Sequence, residues 1–225
     1  MTISHLFLGS IGVLAETSDI QRRAYNAAMQ EAGVGWEWDP ETYRSLLQSS
    51  GGKARLRMLA DATNTEIDDT TIDTIHRRKT EIACAEVVDT PVTLRPGVAD
   101  VIAHALDNGI ALGLVTTTYR PNIDAIAAAA GSTLPLDRFA VIVTTDDVAR
   151  GKPAPDAYEF ALRATGADPA TCLAVEDTSA SALAAQGAGL RTIVVPGHFT
   201  DSQIVPGTDS VVASLSVDAV FGPSA

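Results

Sequence analysis

From Thr90 onward, short apolar runs rich in β-branched residues alternate with helical stretches, and this alternation restricts the chain to a parallel sheet with right-handed crossover helices. Residues 111–115, 140–143, 172–175 and 192–195 read as buried strands. Helices are expected from Pro96-Gly97 to Asn108, from Pro121 to about Ala130, from about Pro155 to Thr165 and from about Ser179 to Gly187. Residues 210–213 make a weaker edge-strand candidate, and 222–225 read as a tail.

The chain opens with one further apolar run, His5-Leu6-Phe7-Leu8, which leads into the glycine turn Gly9-Ser10-Ile11-Gly12. Helical signals then continue without strands. Thr17 or Ser18 caps a helix through about Ala32 that stops at Gly33, Asp39-Pro40 starts a second to about Gln48, and Gly51-Gly52 breaks the pattern. Lys53 to Ala62 resumes it, and Asp69 to about Val88 forms a longer helix. The expected organisation is a sheet-bearing core from residues 1–16 and 90–225, interrupted by an all-helical insertion over 17–89.

In a parallel sheet the strand ends meet at one edge, so Thr116, the Gly151-Lys152 loop and Glu176-Asp177 should converge beside Gly9 to Gly12. Thr116 precedes a helix whose unsatisfied backbone donors suit an anion, although a Ser or Thr there can equally be an ordinary cap. Lys152 is stiffened by the prolines that follow it, which holds an ammonium at low entropic cost. Asp177 has two readings, an oxygen ligand for a cation or a cap for the helix near Ser179.

A chain of 225 residues with 46% hydrophobic and 20% charged residues can bury a proper core. Its formal net charge of -12 argues against nucleic-acid or anionic-membrane partners, without excluding a local basic pocket. Cys84 and Cys172 have neither zinc spacing nor a disulfide framework. No apolar run approaches the roughly 20 residues that span a bilayer, and the start lacks a secretory pattern, so the expected location is the cytoplasm.

The order of the glycine turn with Val13-Leu14-Ala15-Glu16-Thr17, the helical insertion, Val115-Thr116-Thr117-Thr118, Gly151-Lys152-Pro153-Ala154-Pro155-Asp156 and Val175-Glu176-Asp177 resembles the haloacid dehalogenase superfamily. Gly51-Gly52-Lys53, His76 to Lys79, Leu94-Arg95-Pro96-Gly97, Tyr119 to Asn122 and Pro196-Gly197-His198 bring it nearest to the CbbY-like branch of sugar-phosphate phosphatases and phosphoglucomutases. The resemblance implies an α/β, Rossmann-like core with a helical cap, magnesium dependence and phosphoryl transfer through an aspartyl-phosphate.

By that resemblance Thr116, Thr117 and Lys152 form the phosphate cradle, Glu176 and Asp177 belong to the magnesium site, and Lys53 faces substrate from the cap. The family's two catalytic aspartates, nucleophile and acid/base, fall at Gly9 and Ile11, and its first-helix histidine falls at Gln21. Gly9 cannot form a covalent intermediate. Ser10 is no convincing substitute, because residues alternate faces along a strand and it should point away from the side shared by 9 and 11. Lys152 with Glu176 and Asp177 sums to +1 - 2 = -1, against -3 with two more aspartates, so magnesium is expected to bind weakly or not at all.

In the cap, Arg55 and the run His76-Arg77-Arg78-Lys79 are candidates for a distal phosphate, with a solvated helix face the expectation for each arginine. Trp36 and Trp38 are expected to pack the cap. The expected function is a catalytically impaired phosphatase homologue that binds a phosphorylated small molecule or inorganic phosphate. The alternatives are a phosphatase using direct water attack, with Glu176 or Asp177 as base, and an interaction or regulatory protein.

Overall fold

The computed structural model describes residues 3–47, 51–200 and 207–223. Six strands, β1 (His5–Leu8), β2 (Ala111–Val115), β3 (Val141–Val143), β4 (Cys172–Glu176), β5 (Arg191–Val194) and β6 (Ser210–Val211), form one sheet in the order β3-β2-β1-β4-β5-β6. Every neighbouring pair is parallel. The first strand therefore sits inside the sheet, between β2 and β4, and the turn that follows it is flanked by the ends of both.

A central strand of a sheet covered on both faces is buried along its length, and after the half-buried His5 the strand β1 is accordingly the apolar run Leu6-Phe7-Leu8. Leu6 and Leu8 point into one core with Val101, Ile102 and Ala105 of α5 (Val98–Asp107). Phe7 points the other way, against Ala157, Tyr158 and Ala161 of α7 (Asp156–Thr165). A Cβ on Gly113 would run into the Phe7 ring, so glycine in β2 makes room for that packing. Two further helices complete the layers, α6 (Arg120–Ala130) after β2 and α8 (Ser179–Gly187) after β4.

Between β1 and α5 lie only helices among the described residues: α1 (Ser18–Glu31), α2 (Pro40–Leu46), α3 (Gly52–Thr63) and α4 (Asp69–Asp89). They build the helical cap around their own core of Tyr25, Met29, Trp38, Tyr43, Leu56 and Ile75. Asp39 and Asp68 start α2 and α4 by accepting from the backbone N–H groups of Thr42 and Thr71, each at 2.7 Å. Trp38 is fully buried and Trp36 packs against the same cluster, so both tryptophans serve the cap's interior.

The element boundaries differ from expectation in small ways. The glycine pair does not separate two helices symmetrically: Gly51, at φ 93°, is the cap and Gly52 already belongs to α3. The short helix α9 (Val217–Phe221), not anticipated, follows β6 and is capped by Ser216. Gln48, the expected end of the second helix, and residues 224–225 of the tail lie outside the described residues. No helix among the described residues is long and apolar enough to cross a membrane.

Candidate active-site cleft

A cleft of about 230 Å³ opens between the C-terminal edge of the sheet and the cap. Ser10, Ile11, Thr116, Thr117, Lys152, Glu176 and Asp177 line it from the core, and Gln21, Lys53, Arg55, His76 and Lys79 line it from the cap. The parallel sheet thus brings the motif residues together as their positions at strand ends require. Lys53, Lys79 and Lys152 are the only lysines in the chain, and all three line this cleft.

The turn after β1 is tightly folded. Val13 and Leu14 donate to the Ser10 carbonyl at 3.2 and 2.7 Å, and Arg95 braces the loop by donating to the carbonyls of Gly12, Val195 and Pro196. This geometry corrects the expectation for Ser10. The strand ends at Leu8, so alternation no longer governs position 10, and its hydroxyl lies 2.8 Å from Thr116 Oγ1 inside the cleft. Gly9 donates its N–H to the Val175 carbonyl at 3.0 Å, and a Cβ built on it would stand 2.5 Å from Glu176 Oε2.

Glu176 is the hub of the core side. Its Oε1 accepts from both Lys152 Nζ and the Tyr158 hydroxyl, and Lys152 also donates to the Val115 carbonyl at 2.8 Å. Lys152 and Glu176 are 4% and 1% exposed, so this is a buried ion pair. Asp177 sits against Gly12, whose positive φ and missing Cβ leave room for that carboxylate. Burial, reinforced by Glu176 and Glu16, pushes the Asp177 carboxyl well above the usual range. Asp177 does not cap α8; Thr178 does, accepting from Ser181 N–H at 3.1 Å. Nor does Thr116 cap α6, whose N-cap position is Tyr119 and which has no side-chain cap.

The basic run of the cap divides between two faces of α4. Arg77 and Arg78 do form exposed ion pairs with Glu81 and Glu31. His76 and Lys79 are buried on the opposite face of α4, one helical turn apart. Lys79 Nζ donates to Gln21 Oε1 at 2.7 Å, Gln21 Nε2 to Asn122 Oδ1 at 3.1 Å, and Asn122 Nδ2 to Thr118 Oγ1 at 3.2 Å. This chain of hydrogen bonds crosses from cap to core.

Arg55 is the clearest residue that sequence reasoning undervalued: its Nε and Nη1 are buried without a hydrogen-bond partner. Lys53, by contrast, is exposed and paired with Asp73 at 2.7 Å. Burial, with Lys79, Lys53 and Arg55 close by, lowers His76 to about 3, so its ring is neutral. Burial and Arg55 lower Lys79 to about 7.

The resemblance implies magnesium, which takes about six oxygen ligands in a near-ideal octahedron. Here Glu176 already accepts two hydrogen bonds, Gly9 and Ile11 bring no carboxylate, and no cluster of three or more metal-ligating side chains stands among the described residues. The donor set does not fit the ion.

A haloacid dehalogenase-like hydrolase family model matches residues 10–189. The chain is 37% identical over 219 residues to "Protein CbbY" of Rhodobacter capsulatus, covering 97% of this chain and 96% of that protein. The crystal structure of CbbY from Rhodobacter sphaeroides in complex with phosphate superposes with a TM-score of 0.89 at 39% identity, covering 95% of each chain. A mutant of that protein, in complex with xylulose-(1,5)bisphosphate, matches equally well, also at 0.89 and 39%.

Proposed function

The chain belongs to the haloacid dehalogenase-like hydrolases, in their CbbY-like branch, and from that premise we propose that it binds a phosphorylated sugar without hydrolysing it. The observation that carries this reading is at Gly9, where the family's nucleophile would stand. No nucleophilic atom is present, and the Glu176 carboxylate occupies the space a side chain would need. Ile11, at the acid/base position, has no proton to exchange. Losing a covalent nucleophile costs on the order of 10⁶-fold in a serine protease, and on that scale residual turnover by the family route is negligible.

Phosphate binding at Thr116, Thr117 and Lys152 is supported by their convergence at one end of the cleft. A second anionic group at the cap end is supported by Arg55, whose unpartnered guanidinium is costly to bury and which lies near Lys79 and Lys53. A ligand carrying two phosphates satisfies both ends, in keeping with the bisphosphate bound by the related CbbY. Residues 17–89 would act as the cap that encloses it. Magnesium binds weakly or not at all in this reading, because Lys152 and Tyr158 already occupy Glu176 and the two aspartates are gone.

Direct water attack fits less well. Glu176 as a base would have to take a proton while accepting from an ammonium and a hydroxyl. A cytoplasmic location is supported by the two unpaired cysteines, Cys84 and Cys172. The test is titration calorimetry with inorganic phosphate, a pentose 5-phosphate and xylulose 1,5-bisphosphate, alongside a phosphate-release assay. Saturable binding, strongest for the bisphosphate and without release, supports the reading; no binding to any of the three refutes it.

A further inference from the structure

We propose that Lys79 captures the carbonyl of an open-chain sugar phosphate in the cleft as a reversible imine. The inference rests on the sugar-phosphate reading above. Lysines in proteins are ordinarily solvated or paired with carboxylates, and two of the chain's three follow that rule: Lys53 pairs with Asp73 and Lys152 with Glu176. Lys79 differs. It is 5% exposed, its Nζ donates to a neutral amide oxygen of Gln21, and it lies 4.9 Å above the Tyr25 ring. Its charged neighbour is the Arg55 guanidinium, and the acidic group beside it is only the Cys84 thiol, itself raised by burial.

This environment withholds what keeps a lysine protonated, and it lowers the ammonium to about 7, so much of the amine is unprotonated near neutral pH. Position completes the argument. Lys79 reaches the core through Gln21, Asn122 and Thr118, whose backbone N–H donates to Thr116 Oγ1 at 3.2 Å, and it faces Arg55 within the cap. Lys79 lines the same cleft as Thr116 and Arg55, so a ligand held by both lies along the wall that carries it.

The chemistry suits a ketose whose terminal hydroxyl is phosphorylated. A pentulose bearing phosphate on C5 has no hydroxyl left to close a five-membered ring, so its carbonyl stays free. The Nζ lone pair attacks that carbon, the C–O π bond breaks to give a carbinolamine, and water then leaves with the former carbonyl oxygen. Both protons lost by the nitrogen depart in that water, leaving a C=N bond. The step is redox-neutral, and hydrolysis reverses it.

The test incubates the whole protein with ribulose 5-phosphate or xylulose 1,5-bisphosphate and sodium cyanoborohydride, followed by intact mass and peptide mapping. The expected result is one reduced adduct per chain, on Lys79 rather than Lys53 or Lys152, suppressed by excess inorganic phosphate. Lys79→Arg, and Lys79→Met should the arginine disturb folding, should lose the adduct while calorimetry still registers sugar-phosphate binding. Binding without an adduct at Lys79, or labelling that persists unchanged in both variants, overturns the inference and leaves the binding reading intact. Absence of any binding overturns both.

Discussion

The carboxylate of Glu176 stands where a side chain on Gly9 would have to begin: a Cβ built on Gly9 lies 2.5 Å from Glu176 Oε2 and 2.9 Å from a Val13 methyl. Lys152 and Tyr158 hold Glu176 in place there, so the space beside Gly9 is filled by that carboxylate.

Restoring the motif should expose that contact. Gly9→Asp with Ile11→Asp sets a second carboxylate against Glu176, and in chelator the crowding of about 1–3 kcal/mol should lower the melting temperature by roughly 5 °C. Two carboxylates so close resist joint ionisation unless a cation joins them. Added magnesium should raise the melting temperature of the double variant and leave the parent's unchanged. Scanning calorimetry with and without the ion checks this; a variant indifferent to magnesium would show that Glu176 and Asp177 do not complete a metal site even when both aspartates are supplied.

The Lys152–Glu176 pair should behave as a buried unit. Lys152→Met leaves Glu176 uncompensated in the interior and should cost about 3–5 kcal/mol of stability. Lys152→Met with Glu176→Leu should regain most of that loss, since an apolar pair of similar volume avoids the desolvation of both charges. Urea unfolding of the single and double variants reads the difference, and simple additivity would contradict the pairing.

Arg55 and Lys53 should contribute unequally although both line the cap end. Arg55→Met removes buried donors that have no partner in the protein, so bisphosphate affinity should fall by about 10- to 100-fold. Stability should hold or improve, because the unpartnered guanidinium is itself a cost. Lys53 is exposed and already engaged by Asp73, so Lys53→Met should change affinity by less than about threefold. Calorimetry with xylulose 1,5-bisphosphate and with inorganic phosphate separates the two ends of the cleft.

Anion binding should weaken as pH rises through about 7, where Lys79 loses its proton. The groups facing it do not titrate in that window to offset the loss. His76 is neutral with its value near 3, and Tyr25 is pushed well up by burial and stays a neutral phenol. Cys84 is raised by burial. Bound inorganic phosphate, which has no carbonyl for the amine to attack, favours the ammonium, so its binding between about pH 7 and 9 should take up a proton, measurable from calorimetry in buffers of different ionisation heat. For folding the sign is opposite. The native Lys79 value lies below the unfolded one near 10.4, so the unfolded chain binds more protons across that interval, and this group's contribution to stability rises with pH.

Much of the architecture was legible because parallel strands impose strict demands: β1, β2 and β4 are short, largely apolar runs that lead into residues lining the cleft. The absence of a side chain at Gly9 and the convergence of Thr116, Lys152 and Glu176 follow from that pattern. Ser10 was misjudged because alternation stops with the strand at Leu8, a backbone event that the residue types do not announce. His76 and Lys79 were obscured for another reason. On α4 the basic run presents Arg77 and Arg78 to solvent and His76 and Lys79 to the cleft, and only the packing of α4 against α1 and α6 decides which face is which.

Phosphorus NMR on stoichiometric mixtures of the unmodified protein and xylulose 1,5-bisphosphate, with magnesium and then with chelator, tests ligand binding without turnover most directly. The expected spectra show ligand resonances shifted or broadened by binding and no inorganic phosphate growing above the protein-free control over many hours. A magnesium-dependent inorganic phosphate signal would contradict it, and would mean that a nucleophile other than the residue at Gly9 operates in this cleft.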